Sequence, residues 1–321
     1  MRFTVVTPSF NQLDWLELCI ASVADQGRNR AEAGNLSLSE GQAAAVEGEK
    51  VGTCEGGRRA ETKEIFIEHI VCDGGSEGIN DFKGRMLARF PETPHYRLEF
   101  LVGPDVGMYD AINKGLRRAT GDICSYLNCD EQLLAGALAT VGEYLAKHTE
   151  MDVAFGDTIV VGREGEAICY WRPYVPTLAH LAGATLNTLS CSMFFRRSVV
   201  EAGHFFEIQW QVAGDQQWIC GLLKKKRRMT CLPHPLAAFT FLGSNLGASE
   251  KAREEFKLIS QVDGGLARFF RRGMHGLRKI LSGAYTLREM TYSIFVLSDP
   301  TRRRRFVCKH LGWKWPGLEK T

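Results

Sequence analysis

Ten cysteines occur in the 321 residues, yet no two of them form a C-x-x-C pair. Several lie inside apolar runs, so they read as small buried hydrophobes in a reducing compartment, against a disulfide frame or a zinc site. No run of about 18 uncharged apolar residues occurs, which predicts no membrane span. The stretch 176–195 comes nearest and is broken by His180 and Asn187. Met1 is followed at once by an apolar strand, without a basic leader or cleavage site, so no signal peptide is expected and the working localisation is cytoplasmic. Residues 27–63 contain no aromatic residue and no sustained apolar period, only Gly, Ala, Glu and Arg in quantity. That texture predicts a flexible surface insertion.

What is present is ordinary in amount and uneven in placement. Hydrophobic residues at 45% and charged residues at 24% suit a globular protein. The formal net charge of +3 hides an asymmetry: 264–321 carries 13 Lys or Arg against 3 Asp or Glu, and the preceding part 27 against 34. A mildly acidic body with a basic tail points to an anionic partner. In the tail, Leu266, Phe269, Phe270, Leu277, Ile280 and Leu281 form one helical stripe, opposed by Arg268, Arg271, Arg272, Arg278 and Lys279. Such a basic amphipathic helix fits an anionic membrane surface, and equally an ordinary helix packed on the body. Arg302–Arg305 with Trp313 and Trp315 adds a second basic and aromatic cluster. No recognised nucleic-acid motif accompanies the charge, so no nucleic-acid partner is expected.

The body alternates strand and helix. Arg2–Thr7 is β-rich and leads into Pro8-Ser9, and Asn11 stands where it can cap a helix bearing Leu13, Leu16, Ile20 and Val23. Glu64–Cys72 predicts a buried strand ending in Asp73-Gly74-Gly75-Ser76, followed by a helix and a strand at Arg97–Gly103 that ends in Pro104-Asp105. A helix over Met108–Ala119, a strand over Asp122–Leu127 and a helix over Leu133–Lys147 follow. Shorter strands are expected at Val153–Val161, Ala167–Trp171, Ser190–Arg196 and Cys231–Phe241, with a helix over Val212–Lys225 carrying Asp215 in its first turn. This order predicts an α/β fold, a mostly parallel Rossmann-like sheet flanked by helices. Residues 1–263 read as one such domain, and 264–321 as a basic helical C-terminal region.

In parallel sheets the ligand lies beyond the carboxyl ends of the strands, where Asp73, Asp105 and Asp130 all fall. The densest stretch is Ser125–Glu131, closing on adjacent acids Asp130 and Glu131 with Asn128 just upstream. Adjacent carboxylates repel unless a cation sits between them, and hard oxygen ligands suit Mg²⁺ or Mn²⁺. A solvated turn opening the next helix explains the pair from its residues alone just as well.

The segments in their order resemble the family-2 glycosyltransferases, inverting enzymes with the GT-A nucleotide-sugar-binding fold. The matching pieces are Thr7–Asn11, Glu68–Ser76, Asp105–Gly115, Ala119–Asp122, Leu127–Glu131, Phe194–Ser198 and Ala213–Asp215. The resemblance implies that Pro8 and Ser9 line the nucleotide pocket and that Asp73 bonds the base, usually uracil. It places Asp105 and the Asp110–Lys114 helix start, with Asn113 and Lys114, beside the nucleotide and its diphosphate. It makes Asp130 the direct ligand of a divalent metal, Mn²⁺ or Mg²⁺, with Glu131 in support and Asn128 near the ribose. Asp215 matches the general base. The implied donor is a nucleotide-sugar, most often a UDP-sugar, and the acceptor a glycan or lipid-linked glycan in polysaccharide assembly; the basic tail, outside the match, adds the expectation of a peripheral location at the inner face of a membrane. Asn128 replaces the first acid of the D-x-D element, and Ser190-Cys191 stands where the family often has His-Gln. Both departures leave room for a binding protein that has lost catalysis. A rival reading takes Gly74–Gly78 as a G-x-S-x-G elbow with Ser76, Asp215 and His234 as a hydrolase triad, although no His-Gly-Gly-Gly oxyanion motif is present.

Overall fold

In the computed structural model the described residues are 1–27, 64–181, 186–243, 249–259, 273, 276–283, 289–309, 312 and 315. The insertion expected at 27–63 lies, from residue 28 onward, outside them, as does 264–272 of the expected tail helix.

Four strands form the parallel half of a nine-stranded sheet: β1 (Arg2–Ser9), β2 (Phe66–Asp73), β3 (Tyr96–Val102) and β4 (Ile123–Tyr126). The apolar runs of β1, β2 and β4 are buried on both faces, the sequence signature of a covered parallel sheet, while edge strand β3 alternates buried with more exposed positions. The chain steps outward from β1 to β2 and β3, then returns to the other flank of β1 as β4. Strand order therefore reverses between β1 and β4, opening a crevice at their carboxyl ends. Helices α1 (Leu13–Ala24) and α2 (Ile79–Arg89) cover one face, and α3 (Met108–Arg118) covers the other. Helix α3 packs tightly because Gly115 leaves room for Val6 and Cys72 of the sheet below.

The second half is mixed. From β4 the sheet continues through β8 (Met193–Arg196), β6 (Val153–Val161), β9 (Met229–Thr240) and β5 (Glu131–Leu133), with β7 (Ala167–Trp171) also on β6. The short β5 was not anticipated. Residues 131–133 pair antiparallel with Ala237–Phe239, and α4 begins only at Ala137 and runs to Lys147. Asn11 does not cap α1. It adopts a left-handed φ of 53°, its N–H donates to Ser76 Oγ at 2.7 Å, and its Oδ1 accepts from Glu77 N–H, stitching two loops at the crevice.

The described part of the tail differs from the basic amphipathic helix expected there. A short helix at 276–281 turns Lys279 inward, with Nζ 3.3 Å from the Trp171 ring centroid and donating to Arg172 O at 3.1 Å. Burial pushes the Lys279 ammonium down to about 8. Strands β10 (Met290–Val296) and β11 (Asp299–Cys308) then form an antiparallel hairpin where a basic cluster had been read. Arg303 docks it: the guanidinium pairs with Asp25 at 2.6 Å and donates to the carbonyls of Ser22, Leu133 and Ser293. Gln132 completes the joint, its amide exchanging two hydrogen bonds with the Phe295 backbone at 2.8 and 2.9 Å. The hairpin therefore packs on the body. Nine cysteines are free thiols among the described residues, six of them fully buried as the sequence implied.

Replacing Arg303 removes its ion pair with Asp25 and its hydrogen bonds to three carbonyls. Arg303→Ala should cost about 2–4 kcal/mol of stability, the range for breaking a largely buried, hydrogen-bonded ion pair. Chemical denaturation reads this directly, and a loss below about 0.5 kcal/mol, typical of surface changes, would show that the hairpin is not anchored there.

Candidate active site

The crevice between β1 and β4 opens into a cavity of about 570 Å³. Pro8, Ser9, Phe10 and Gln12 come from the end of β1, and Asn128, Cys129, Asp130 and Glu131 from the end of β4 and the start of β5. Asp105 and Tyr109 enter from the β3–α3 connection. Asp215 enters from the first turn of α7 (Gly214–Lys224). At the far end the lining turns apolar, with Leu186, Leu189, Phe239, Leu242 and Trp315. Trp315 is 36% exposed although its ring packs against Trp171 and Phe239 at 5.3 and 5.6 Å.

Of the residues singled out in the sequence, seven converge here: Pro8, Ser9, Asp105, Asn128, Asp130, Glu131 and Asp215. Three do not line the cavity. Asp73 is buried and turned into its own loop: Oδ1 accepts from the N–H groups of Gly75 and Ser76, and Oδ2 from Ser76 Oγ at 2.7 Å. Asn113 faces the core, where its side-chain amide clamps Phe206 N–H and C=O at 3.0 and 2.7 Å. Lys114 projects outward, donating to Pro104 O and pairing with Asp110 at 2.9 Å. Asn113 and Lys114 are consecutive positions of α3, about 100° apart around its axis, so one faces the core while the other projects outward. The rival triad does not assemble either, because the Ser76 hydroxyl is engaged by Asp73 and by Asn11 N–H.

Electrostatically the site is strained. Glu131 is 1% exposed, and its Oε2 accepts from Asn128 N–H at 2.8 Å. Burial pushes the carboxyls of both Asp130 and Glu131 above the usual range, and Asp130 raises Glu131 further by repulsion. Ser9 Oγ, Asn128 Oδ1 and Glu131 Oε1 are buried without a hydrogen-bond partner. Buried polar atoms left unpaired are costly unless a ligand completes them, and these three cluster at one place. Asp215 is lifted to about 6 by burial, offset in part by the N–H of Gln216, which donates to Oδ1 at 2.7 Å.

The loop carrying Asp215 is shaped by Tyr109, which the sequence did not single out. Its hydroxyl donates to Val212 O at 2.9 Å and accepts from Asp215 N–H at 3.2 Å. Its ring stacks on Phe206 at 5.5 Å, and Phe206 stacks in turn on Trp218 of α7. A Cβ on Gly214 would lie 2.5 Å from the Tyr109 ring, so only glycine lets the turn bearing Asp215 approach.

No family model matches the chain. A PGL/p-HBAD biosynthesis glycosyltransferase of Mycobacterium tuberculosis is 39% identical over 95 residues, 29% of this chain and 36% of that protein, and its Mycobacterium bovis counterpart matches equally. The match thus spans about a third of the length of these curated relatives. Among solved structures, S. aureus TarS 1-349 in complex with UDP-GlcNAc gives a TM-score of 0.53 at 16% identity, over 81% of this chain and 64% of that one. The mannosyltransferase PcManGT from Pyrobaculum calidifontis, in complex with GDP-Man and Mn2+, gives 0.52 at 17% identity, over 87% and 69%. The chain has the fold of these glycosyltransferases.

Gly214→Ala should destabilise the protein by about 1–3 kcal/mol, the cost of forcing an extra methyl into a packed site. A thermal melt no lower than that of the unmodified protein would show that the Tyr109 ring yields freely.

Proposed function

We propose that the chain is an inverting, family-2-type glycosyltransferase of GT-A architecture, moving a sugar from a nucleotide-sugar, most simply a UDP-sugar, to a hydroxyl acceptor. The observation that carries this is the meeting, in one crevice at the strand-order reversal, of three unpaired buried polar atoms with Asp130 and, across the cavity, Asp215. The short mycobacterial match and the nucleotide-sugar complexes of the structural neighbours support the reading.

In this reading the nucleotide lies along the ends of β1 and β4, against Pro8, Ser9, Phe10 and Asp105. The donor set fits a divalent cation. Among the described residues no cluster of three metal-ligating acids, histidines or cysteines occurs, so Asp130 and Glu131 would share the ion with substrate phosphates. That is the usual arrangement for Mg²⁺-type ions, which take one or two carboxylates and keep the remaining positions for phosphate and water. When bound, the cation supplies charge neutralisation for the departing nucleoside diphosphate.

Asp215 acts as the base. It accepts the acceptor hydroxyl's proton as that oxygen attacks the anomeric carbon, and the bond from that carbon to the diphosphate oxygen breaks. One displacement inverts the centre. A carboxyl lifted to about 6 is a better base than an ordinary aspartate and is still ionised at neutral pH. The acceptor, a glycan or lipid-linked glycan, would enter over the apolar end formed by Leu189, Phe239, Leu242 and Trp315.

Contact with an anionic membrane surface rests on what the hairpin and short helix leave outside: Arg302, Arg304 and Arg305, with Leu277, Ile280 and Leu281 exposed. Equal sedimentation with phosphatidylserine and neutral vesicles would dispose of it. Among the described residues no helix is long and apolar enough to cross a membrane.

Asp130→Ala should abolish Mn²⁺-dependent UDP binding in calorimetry, and unchanged affinity would refute the metal assignment. Asp215→Asn should keep that affinity and lose transfer by about 100-fold or more, the scale of a general base. The rate should fall as pH drops through about 6, because Asp215 works only when ionised and its carboxyl takes up a proton there. A rate flat from pH 5 to 7 would remove Asp215 as the base.

A further inference from the structure

Building on the assignment of Asp215 as the base, we infer that Glu255 is a positioning residue for it. Glu255 lies on α8 (Glu250–Ile259), 40 positions after Asp215 and outside the cavity lining. It is 3% exposed, and both its oxygens are engaged by the loop that leads into α7. Oε1 accepts from Gln211 N–H at 2.8 Å, and Oε2 accepts from Val212 and Ala213 N–H, both at 2.9 Å. Three consecutive backbone donors aimed at one carboxylate form an anion-binding concavity at a helix N-terminus. Bonds to an ionised acceptor are about twice as strong as neutral ones. Burial alone would raise the Glu255 carboxyl, yet these donors, with Lys251, hold it below its ordinary range. It is therefore charged at neutral pH.

The loop is gripped from two sides. Tyr109 holds Val212 O and Asp215 N–H from the donor side, and Glu255 holds 211–213 from behind. Asp215 gains little direction from side-chain neighbours, since its Oδ1 accepts from the adjacent backbone N–H of Gln216. Its aim is set by where the backbone at 213–215 stands, and that is what Glu255 fixes. A base displaced by about 1 Å costs on the order of 100-fold in rate, so a residue outside the cavity can govern the chemistry.

Glu255→Gln keeps the shape, removes the charge and replaces one acceptor with an NH₂ group that cannot receive an N–H. The probes are UDP-GlcNAc and GDP-mannose with Mn²⁺, with nucleotide release by transfer to water as the readout. Release should slow about tenfold or more, in kcat, while affinity for the nucleotide with Mn²⁺ changes less than about twofold. Hydrogen exchange at the amides of 211–213 should accelerate. In an Asp215→Asn background Glu255→Gln should add no further loss, because residues acting through one another are not additive. A purely architectural Glu255 would instead weaken nucleotide binding together with turnover, and its loss would add to that of Asp215→Asn; either result overturns the inference. So does an unchanged release rate or unchanged exchange. Should Glu255→Gln fail to fold, Glu255→Asp keeps the charge one methylene short of the loop, and undiminished release in that variant is equally fatal. Absence of release from the unmodified protein with both donors would sink the transferase reading itself, while faster exchange at 211–213 would still report the clamp.

Discussion

Two carboxylates adjacent in the chain, both withdrawn from water and able to repel each other, stay together only if the backbone beneath them cannot turn away. Around Asp130 and Glu131 the neighbouring backbone is fastened at several points. Asn128 N–H donates to Glu131, Asp130 O accepts from Thr240 Oγ1, and Leu133 N–H donates to Ser22 Oγ. Gln132 holds Phe295, and Arg303 reaches Leu133 O. The C-terminal hairpin, far away in sequence, is therefore part of what keeps the acid pair in place. The repulsion stored there is relieved by protons or, under the proposed function, by a cation, and Asn128 Oδ1 and Glu131 Oε1 beside it are buried without a hydrogen-bond partner.

The alternating half of the molecule was legible almost to its ends. Val153–Val161 and Ala167–Trp171 form as read, and the parallel strands and α3 differ by a residue or two at their boundaries. Period and turn chemistry suffice there because a parallel sheet buries continuous apolar runs. β5 was missed because three residues are too few to show any period; it exists by pairing with β9, a tertiary effect. The sequence left two readings of the tail open for a related reason. A basic residue looks the same in sequence whether it faces solvent or reaches back to an acid or an aromatic ring, and here Arg303 and Lys279 do the latter.

Within the site, sequence position identified the acids and could not tell which of them had free oxygens. Asp73 falls at a strand end as surely as Asp105 does, yet both its oxygens are engaged by its own turn, where it fixes the loop that Asn11 stitches to β1. Gly74 follows from the same packing, since a Cβ there would lie 2.9 Å from Asp105 Oδ2. Tyr109 carried no signal of its own, since an aromatic residue in a helix is ordinarily core, and Trp315 stood out only as part of a basic and aromatic cluster. Their roles emerge only when α3 meets α7 and when Gly312 O receives Tyr170 N–H, bringing the chain's end back to the cavity.

The acids at this rim thus divide by what already binds them. Asp73 and Glu255 are satisfied by protein donors and hold shape, one on each side of the crevice. Glu131 is half satisfied, and Asp215 has a single hydrogen bond to one oxygen and a wall of cavity beside it. A fully hydrogen-bonded carboxylate is stabilised as an anion and becomes a poor base, whereas one desolvated with few donors is pushed towards neutral pH and keeps a lone pair for the substrate. Satisfied carboxylates therefore build the loops, and in the proposed reaction the unsatisfied ones are left to meet the nucleotide, the cation and the acceptor proton.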